Sequence, residues 1–377
     1  MERLVVIVGF LIGLRATWRG GGRGGPERVL LLGTGSLARA IVKEIERQPE
    51  PRCTVAGVVG DAPPAPGWLS NCPHLGTLED IGRLIEETRP DRIVVALSER
   101  RGRLPICRLL ESRARGIVVE DGADTLERLT GKLALETVPP SSLIFSREFA
   151  KSRGQLALAR ALSVLMAVVG LIVLAPVFGL VALLVKVGSG GPVFFVQERV
   201  GWLGRPFKLI KFRTMDPIQR PSSEWVRDNT DRITRVGRWL RRYRLDELPQ
   251  LVNVLRGDMN LVGPRPHPVT NFQLLMLTAR NMSERSGEAI PYYSLRCAIR
   301  PGITGWAQVR YGYANSLEEE LEKIGYDLYY IKHMSLWLDL RVVFETARTM
   351  FSGRGSSTAD AASAREGRLE EPAGRAA

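Results

Sequence analysis

A chain of 377 residues, 45% of them hydrophobic, has room for two domains with real cores, which excludes an intrinsically disordered protein. Its net charge of +13 and pI near 10.0 point to polyanionic partners: nucleic acid, an anionic membrane surface or phosphorylated small molecules. Four scattered cysteines without a Cys-x-x-Cys pair and three widely spaced histidines argue against a zinc motif, a disulfide framework and a local His-based triad, so catalysis is expected to rest on carboxylates.

In chain order, the first apolar run, Leu4 to Leu14, is about half of the roughly 20 residues that a spanning helix needs. Arg15, Arg19 and Arg23 follow it, an order that suits a membrane helix leaving on the cytoplasmic side, and Gly20 to Gly25 read as a flexible linker. From Arg28 the stretch RVLLLGTGSLARAIVKEIE reads as a buried strand, a glycine turn and an amphipathic helix. Strand CTVAGVV, helix LEDIGRLIEET, strand RIVVAL, helix LPICRLLESRAR and strand GIVVE follow, each bounded by turn residues. The pattern predicts a Rossmann-like α/β domain with a parallel sheet over 26–150. Gly33-x-Gly35-x-x-Ala38 suits a phosphate at a helix N-terminus, or else a turn required only for packing. The acid that would hold a ribose, Asp61, falls later than the usual spacing, so a bound nucleotide stays open and no cofactor-binding residue is assigned.

Between Ala161 and Val185 the chain carries no charge at all, and Pro176 lies inside this run. Proline breaks or kinks a helix, and the arms on either side would reach roughly 22 Å and 14 Å, against a hydrocarbon core of about 30 Å. Arg153 and Arg160 precede the run and Lys186 follows it. Both ends are therefore expected on the cytoplasmic side, in a re-entrant membrane hairpin over 151–187, with a kinked single span as the alternative. Residues 188–352, with strands such as PFKLIKFRTM and helices such as SLEEELEKIGYDLYYIK, predict a compact α+β domain on the membrane. The tail 353–377 has no periodic apolar face and is expected to be disordered.

The stretch RRYRLDELPQ sets three arginines against two adjacent acids. Pro249 is tolerated only in a helix's first turn, which puts Asp246 near the N-cap, with Gly257 as the C-terminal stop. A carboxylate there is stabilised as an anion by the helix dipole, and an ionised aspartate can cap a helix or attack phosphorus. The basic ladder Arg232, Arg235, Arg238, Arg241, Arg242 and Arg244, with Trp239 and Tyr243, suits a membrane interface and gathers phosphates. Three more residues stand out: Lys211 in KFRTM, Arg265 between two prolines in LVGPRPHP, and Asp327 in DLYY. Taken singly, each also has a plain reading as a solvated lysine, a surface ion pair or a lysine partner.

Taken together, KFRTM, LDELPQLVNVLRGDMNLVGPRP, RPGITGWAQV and YDLYYIKHMSLWLDL, in this order after an apolar hairpin, resemble the bacterial sugar transferases known as monotopic polyprenyl-phosphate phosphoglycosyl transferases. The resemblance covers about residues 155 to 352, and the upstream α/β domain looks like the exopolysaccharide branch, whose sugar would be glucose or galactose. It implies transfer of a sugar 1-phosphate from a UDP-sugar to undecaprenyl phosphate at the inner membrane, facing the cytoplasm. On that resemblance Asp246 is the nucleophile, and Asp246 with Glu247 holds Mg2+. Arg241 and Arg265 match phosphate-binding arginines, Lys211 and Asp327 match active-site positions, and Pro176 matches the hairpin's helix-breaking proline. The family often has serine where this chain has Ala175, and an acid where it has Ser163. Longer members carry several spanning helices upstream, of which only Leu4 to Leu14 is expected here. Membrane lipids are expected partners, nucleic acid is not, and a homo-oligomer stays open. The competing readings are an NAD-dependent sugar-nucleotide modifier built on the glycine turn, or a membrane-tethered basic regulator or DNA-binding protein. The first lacks a Tyr-x-x-x-Lys pair, and the second leaves the Asp-Glu dyad unexplained.

Overall fold

The computed structural model describes residues 26–48, 53–61, 72–97, 99–100, 102–133, 146, 148–216, 232–269, 293–311 and 317–352, apart from the side chains of 293–294, 317–318, 321 and 352. The Leu4 to Leu14 segment, the glycine linker and the tail lie outside these residues. The chain divides between Thr130 and Gly131 into two units.

In the first unit, β1 (Glu27–Leu32) is buried from Val29 onward, as a central strand covered on both faces must be. It pairs in parallel with β2 (Cys53–Val59) on one side and, once past β3 (His74–Gly76), with β4 (Arg92–Val95) on the other. With β5 (Val118–Asp121) the order is β3-β2-β1-β4-β5, the doubly wound arrangement that alternating strands and helices predicted. The helices are α1 (Ser36–Glu46), α2 (Ile81–Thr88), α3 (Ile106–Ala114) and α4 (Gly122–Thr130), the last of them and β3 not anticipated from sequence. Gly33 has φ +121, and a Cβ there would lie 2.5 Å from the Ala96 carbonyl oxygen. Close packing of β1 against the end of β4 therefore accounts for this glycine without a ligand, and Asp61 faces Arg103 at 3.7 Å.

The second unit starts earlier than the apolar run. Leu133 N donates to Gly325 O at 2.9 Å, Trp306 Nε1 donates to Gly131 O at 2.7 Å, and Leu133 is buried in a cluster with Ile324 and Leu328. Next comes α5 (Arg153–Val173), opened by a reciprocal Ser152–Gln155 capping box. That box starts the helix eight residues before the uncharged run, so at 21 residues it reaches roughly 31 Å rather than the shorter arm expected from the run alone. It is the one described helix long and apolar enough to cross a membrane, and most of its apolar stretch is not buried. The helix ends at Leu174, and α6 (Ala175–Gly188) begins with Pro176 in its first turn, where the missing N–H costs nothing.

Both helices pack on one domain. Ala167 of α5 is buried with Leu209, Leu251, Val254 and Met259, and Ser163 Oγ accepts from Leu261 N at 3.1 Å. Arg160 donates to the carbonyls of Val254 and Met259 at 2.6 and 2.7 Å. Val181 and Val185 of α6 are buried with Phe212 and Leu240. The domain consists of the antiparallel pair β6 (Phe194–Val200) and β7 (Pro206–Phe212), then α7 (Arg235–Arg242) and α8 (Gln250–Arg256). The parallel pair β8 (Asn260–Val262) and β9 (Gly302–Thr304) follows, with α9 (Trp306–Arg310), α10 (Leu317–His333) and α11 (Leu336–Ser352).

The β8–β9 contact is glycine against glycine. A Cβ on Gly302 would lie 2.1 Å from Gly263 N and 2.4 Å from Thr304 O, both backbone atoms that cannot swing aside. Gly302→Ala is therefore expected to destabilise the second unit by about 1–3 kcal/mol or more, read as a lower midpoint in urea unfolding.

Candidate active site

Pro249 is the N-cap of α8, and Gly257 ends the helix with φ +95, as its spacing predicted. Asp246 is not the cap. It lies one turn earlier, in the 3-10 turn Leu245–Glu247, because Pro249 itself occupies the cap position and the acids fall upstream of it. Arg244 precedes them at φ +53, a left-handed conformation that L residues rarely adopt. Asp246 and Glu247 are both buried, so this bend turns two adjacent carboxylates into the protein.

Three cations meet Glu247. Lys211 Nζ, from the end of β7, donates to Oε1 at 3.0 Å, Arg265 donates to the same oxygen at 2.9 Å, and Arg244 lies 3.7 Å from Oε2. Burial opposes ionisation of Glu247, but Lys211, Arg265 and Arg244 overcome it and hold its carboxyl well below the usual range. Burial likewise pulls the Lys211 ammonium below its ordinary value, against the pull of Glu247. Asp246 is the opposite case: burial and the neighbouring Glu247 charge raise its pKa, despite Lys211, Arg241 and Arg265. The Asp246 side chain makes no hydrogen bond among the described residues. The half-buried Arg241 reaches Asp246 only through its charge.

Arg265 is held by its surroundings. Arg199 donates to Pro266 O at 3.1 Å, Val200 N to His267 O at 2.9 Å, and Gly302 N to Pro264 O at 3.0 Å. Between rigid prolines, these bonds fix the backbone that carries the guanidinium, which leaves the side chain less entropy to lose. Behind it, Arg296 donates to Arg265 O at 3.0 Å and to His267 at 3.0 Å, and pairs with Asp327 at 2.7 Å. The structure thus gathers Asp246, Glu247, Lys211 and Arg265 into one cluster, with Arg241 at its edge. Asp327 stands one layer behind, its carboxylate engaged by Arg296. Sequence reasoning missed Arg296, which lies in a segment with no periodicity and meets its partners about thirty residues away in sequence.

His267 carries a pH prediction. Burial and Arg296, with Arg199 acting the same way, lower its pKa to about 4 against the opposing Glu320, 3.3 Å away. The unfolded chain takes up this proton near pH 6.5 and the folded protein only near pH 4, so stability is lost as pH falls between them. His267→Gln is expected to flatten the melting temperature against pH over that window.

The donor set fits a hard divalent cation. Magnesium takes one or two carboxylate oxygens and completes its shell with substrate phosphates and water, and Asp246 is a buried carboxylate lacking a hydrogen-bond donor. Glu247 offers Oε2, which lies 3.7 Å from Arg244, as a second carboxylate oxygen.

A family model for bacterial sugar transferases matches residues 154–353, the span that holds both apolar helices and this cluster. The UDP-N-acetylgalactosamine-undecaprenyl-phosphate N-acetylgalactosaminephosphotransferase of Aeromonas hydrophila is 42% identical over 198 residues, 52% of this chain and 44% of that protein. The undecaprenyl-phosphate glucose phosphotransferase of Komagataeibacter xylinus is 32% identical over 334 residues, 86% of this chain and 59% of its own length, so this likeness extends into the first unit. The exopolysaccharide production protein PSS of Rhizobium leguminosarum bv. phaseoli is 40% identical over 195 residues, 51% of this chain and 94% of its own. The chain thus spans about half the length of the first two relatives, at 44% and 59%. With the dyad, its cations and both apolar helices inside the matched span, the chain belongs to the bacterial sugar transferase family.

Proposed function

We propose that the protein transfers a sugar 1-phosphate from a UDP-sugar to undecaprenyl phosphate, releasing UMP, by way of a phosphosugar carried on Asp246. The observation that carries this reading is the buried Asp246 beside a Glu247 that Lys211 and Arg265 hold ionised. In the first displacement an Asp246 oxygen attacks the β-phosphorus, the bond to the bridging oxygen breaks, and UMP leaves with that oxygen. In the second, an oxygen of undecaprenyl phosphate attacks the same phosphorus and Asp246 departs as carboxylate. Arg265 and Arg241 offer guanidinium forks to the phosphate oxygens, and Lys211 adds a point charge as negative charge builds up. Asp246 and Glu247 would hold magnesium, which neutralises the diphosphate. The names of the relatives divide between N-acetylgalactosamine and glucose, so the assay panel includes UDP-glucose, UDP-galactose and UDP-N-acetylgalactosamine. Detergent-solubilised protein with magnesium and undecaprenyl phosphate is expected to release UMP from one of them. No release from any would refute the reaction. The likeness to an exopolysaccharide production protein supports a place at the start of exopolysaccharide synthesis.

The two apolar helices are proposed to enter the cytoplasmic leaflet and return, with the catalytic domain on the cytoplasmic face of the inner membrane. What supports a return is that α5, at Arg160, Ser163 and Ala167, and α6, at Val181 and Val185, are held by the same domain. Their outward faces, such as Leu165, Ile172, Leu183 and Val187, are apolar and exposed. Cysteines placed at Arg153 and Gly188 in a cysteine-free background are expected to label from one face of a sealed membrane. Labelling from opposite faces would establish a span.

A further inference from the structure

A two-stranded sheet leaves one edge of each strand without a strand partner. On β7 one carboxamide takes up that edge at residues 208 and 210. Asn253, fully buried in α8, accepts from Ile210 N at 3.1 Å through Oδ1 and donates to Lys208 O at 2.8 Å through Nδ2. The carboxamide thus pairs with the strand as a neighbouring peptide would. Its second amide hydrogen goes to Asp258 Oδ2 at 3.0 Å, and Asp258 N donates back to Asn253 O at 3.1 Å, so the rotamer is locked from the other end of the helix.

This brace joins the two halves of the dyad cluster. Helix α8 follows directly on Asp246 and Glu247, while β7 carries Lys211, the residue after Ile210. Leu209 is packed against Leu251 and Val254, but apolar packing alone tolerates sliding along the strand. Two directional bonds at 208 and 210 do not. We propose that Asn253 is a positioning residue which sets the register of β7 against α8 and so holds Lys211 on Glu247. Its catalytic consequence rests on the transferase reading above, whereas the placement of Lys211 does not.

The test has one arm independent of turnover. Trace acetylation of the full-length protein, read by mass spectrometry, gives the reactivity of each lysine. Lys211, ion-paired and mostly buried, is expected to label slowly in the native protein, and Asn253→Ala to raise its rate by about tenfold. Lys323 should stay unchanged. Val342→Ala, which thins a separate core cluster, serves as the control for general destabilisation. Should Asn253→Ala fail to fold, Asp258→Ala frees only the far end of the carboxamide and should raise the Lys211 rate by about threefold. A rise no greater than in Val342→Ala would overturn the proposal. In the second arm, Asn253→Ala should lower kcat/KM by about tenfold in the native background and by less than about twofold in Lys211→Met. Equal losses in both backgrounds would mean that Asn253 does not act through Lys211. No turnover with any UDP-sugar would refute the transferase reading, with the labelling arm still deciding the placement.

Discussion

Asp246→Asn is expected to abolish turnover, lowering kcat/KM by at least about three orders of magnitude, while leaving a folded protein. Asparagine keeps the shape, and Asp246 makes no hydrogen bond among the described residues for the substitution to break. It also removes one of two adjacent buried carboxylates, so the melting temperature should not fall. The decisive measurement omits the acceptor. Native protein with magnesium and the active UDP-sugar should release UMP in an amount equal to the enzyme, and the peptide containing Asp246 should gain the mass of the sugar phosphate. Asp246→Asn should do neither. Glu247→Gln should fail differently: it keeps the nucleophile but strips Lys211 and Arg265 of their charged acceptor, and raised magnesium should restore part of the activity. A folded Asp246→Asn protein with full turnover would instead mean that the lipid phosphate attacks the UDP-sugar directly.

What could be read from the sequence was what is local. The apolar run and its proline gave two helices broken beside Pro176, and the strand-helix alternation gave the parallel sheet. Pro249 and Gly257 bracketed α8 because each acts on its own backbone. The N-cap reading of Asp246 failed by one turn, since a 3-10 turn before a proline leaves no periodic trace. That failure matters physically: the dipole argument for an ionised Asp246 gives way to burial, which pushes the other way, and the nearby cations then have to favour the anion. Lys211 and Arg265 were singled out, but nothing in the sequence showed that both would meet one oxygen of Glu247. Arg296 and Asn253 were missed because their work is tertiary, done through backbone groups of distant segments.

Arg296→Met is expected to cost about 3–5 kcal/mol, because it strands Asp327 as a buried charge without its partner. Burial already raises the pKa of Asp327 against the pull of Arg296, and without the guanidinium it should rise further. The sign of the pH dependence follows. An acid whose folded pKa lies above its unfolded value holds its proton longer in the folded state, so the variant should lose stability as pH rises above about 4. The loss should be smallest in acid, and adding Asp327→Asn should recover much of it. The same guanidinium holds the Arg265 carbonyl and His267, so kcat/KM should fall even where the variant is folded. Asp327→Asn alone leaves those bonds in place. If Asp327 serves only to hold Arg296, its kcat/KM should fall far less than that of Arg296→Met. A large loss of kcat with an unchanged melting temperature would instead put Asp327 in contact with the substrate, the role that its family resemblance implied.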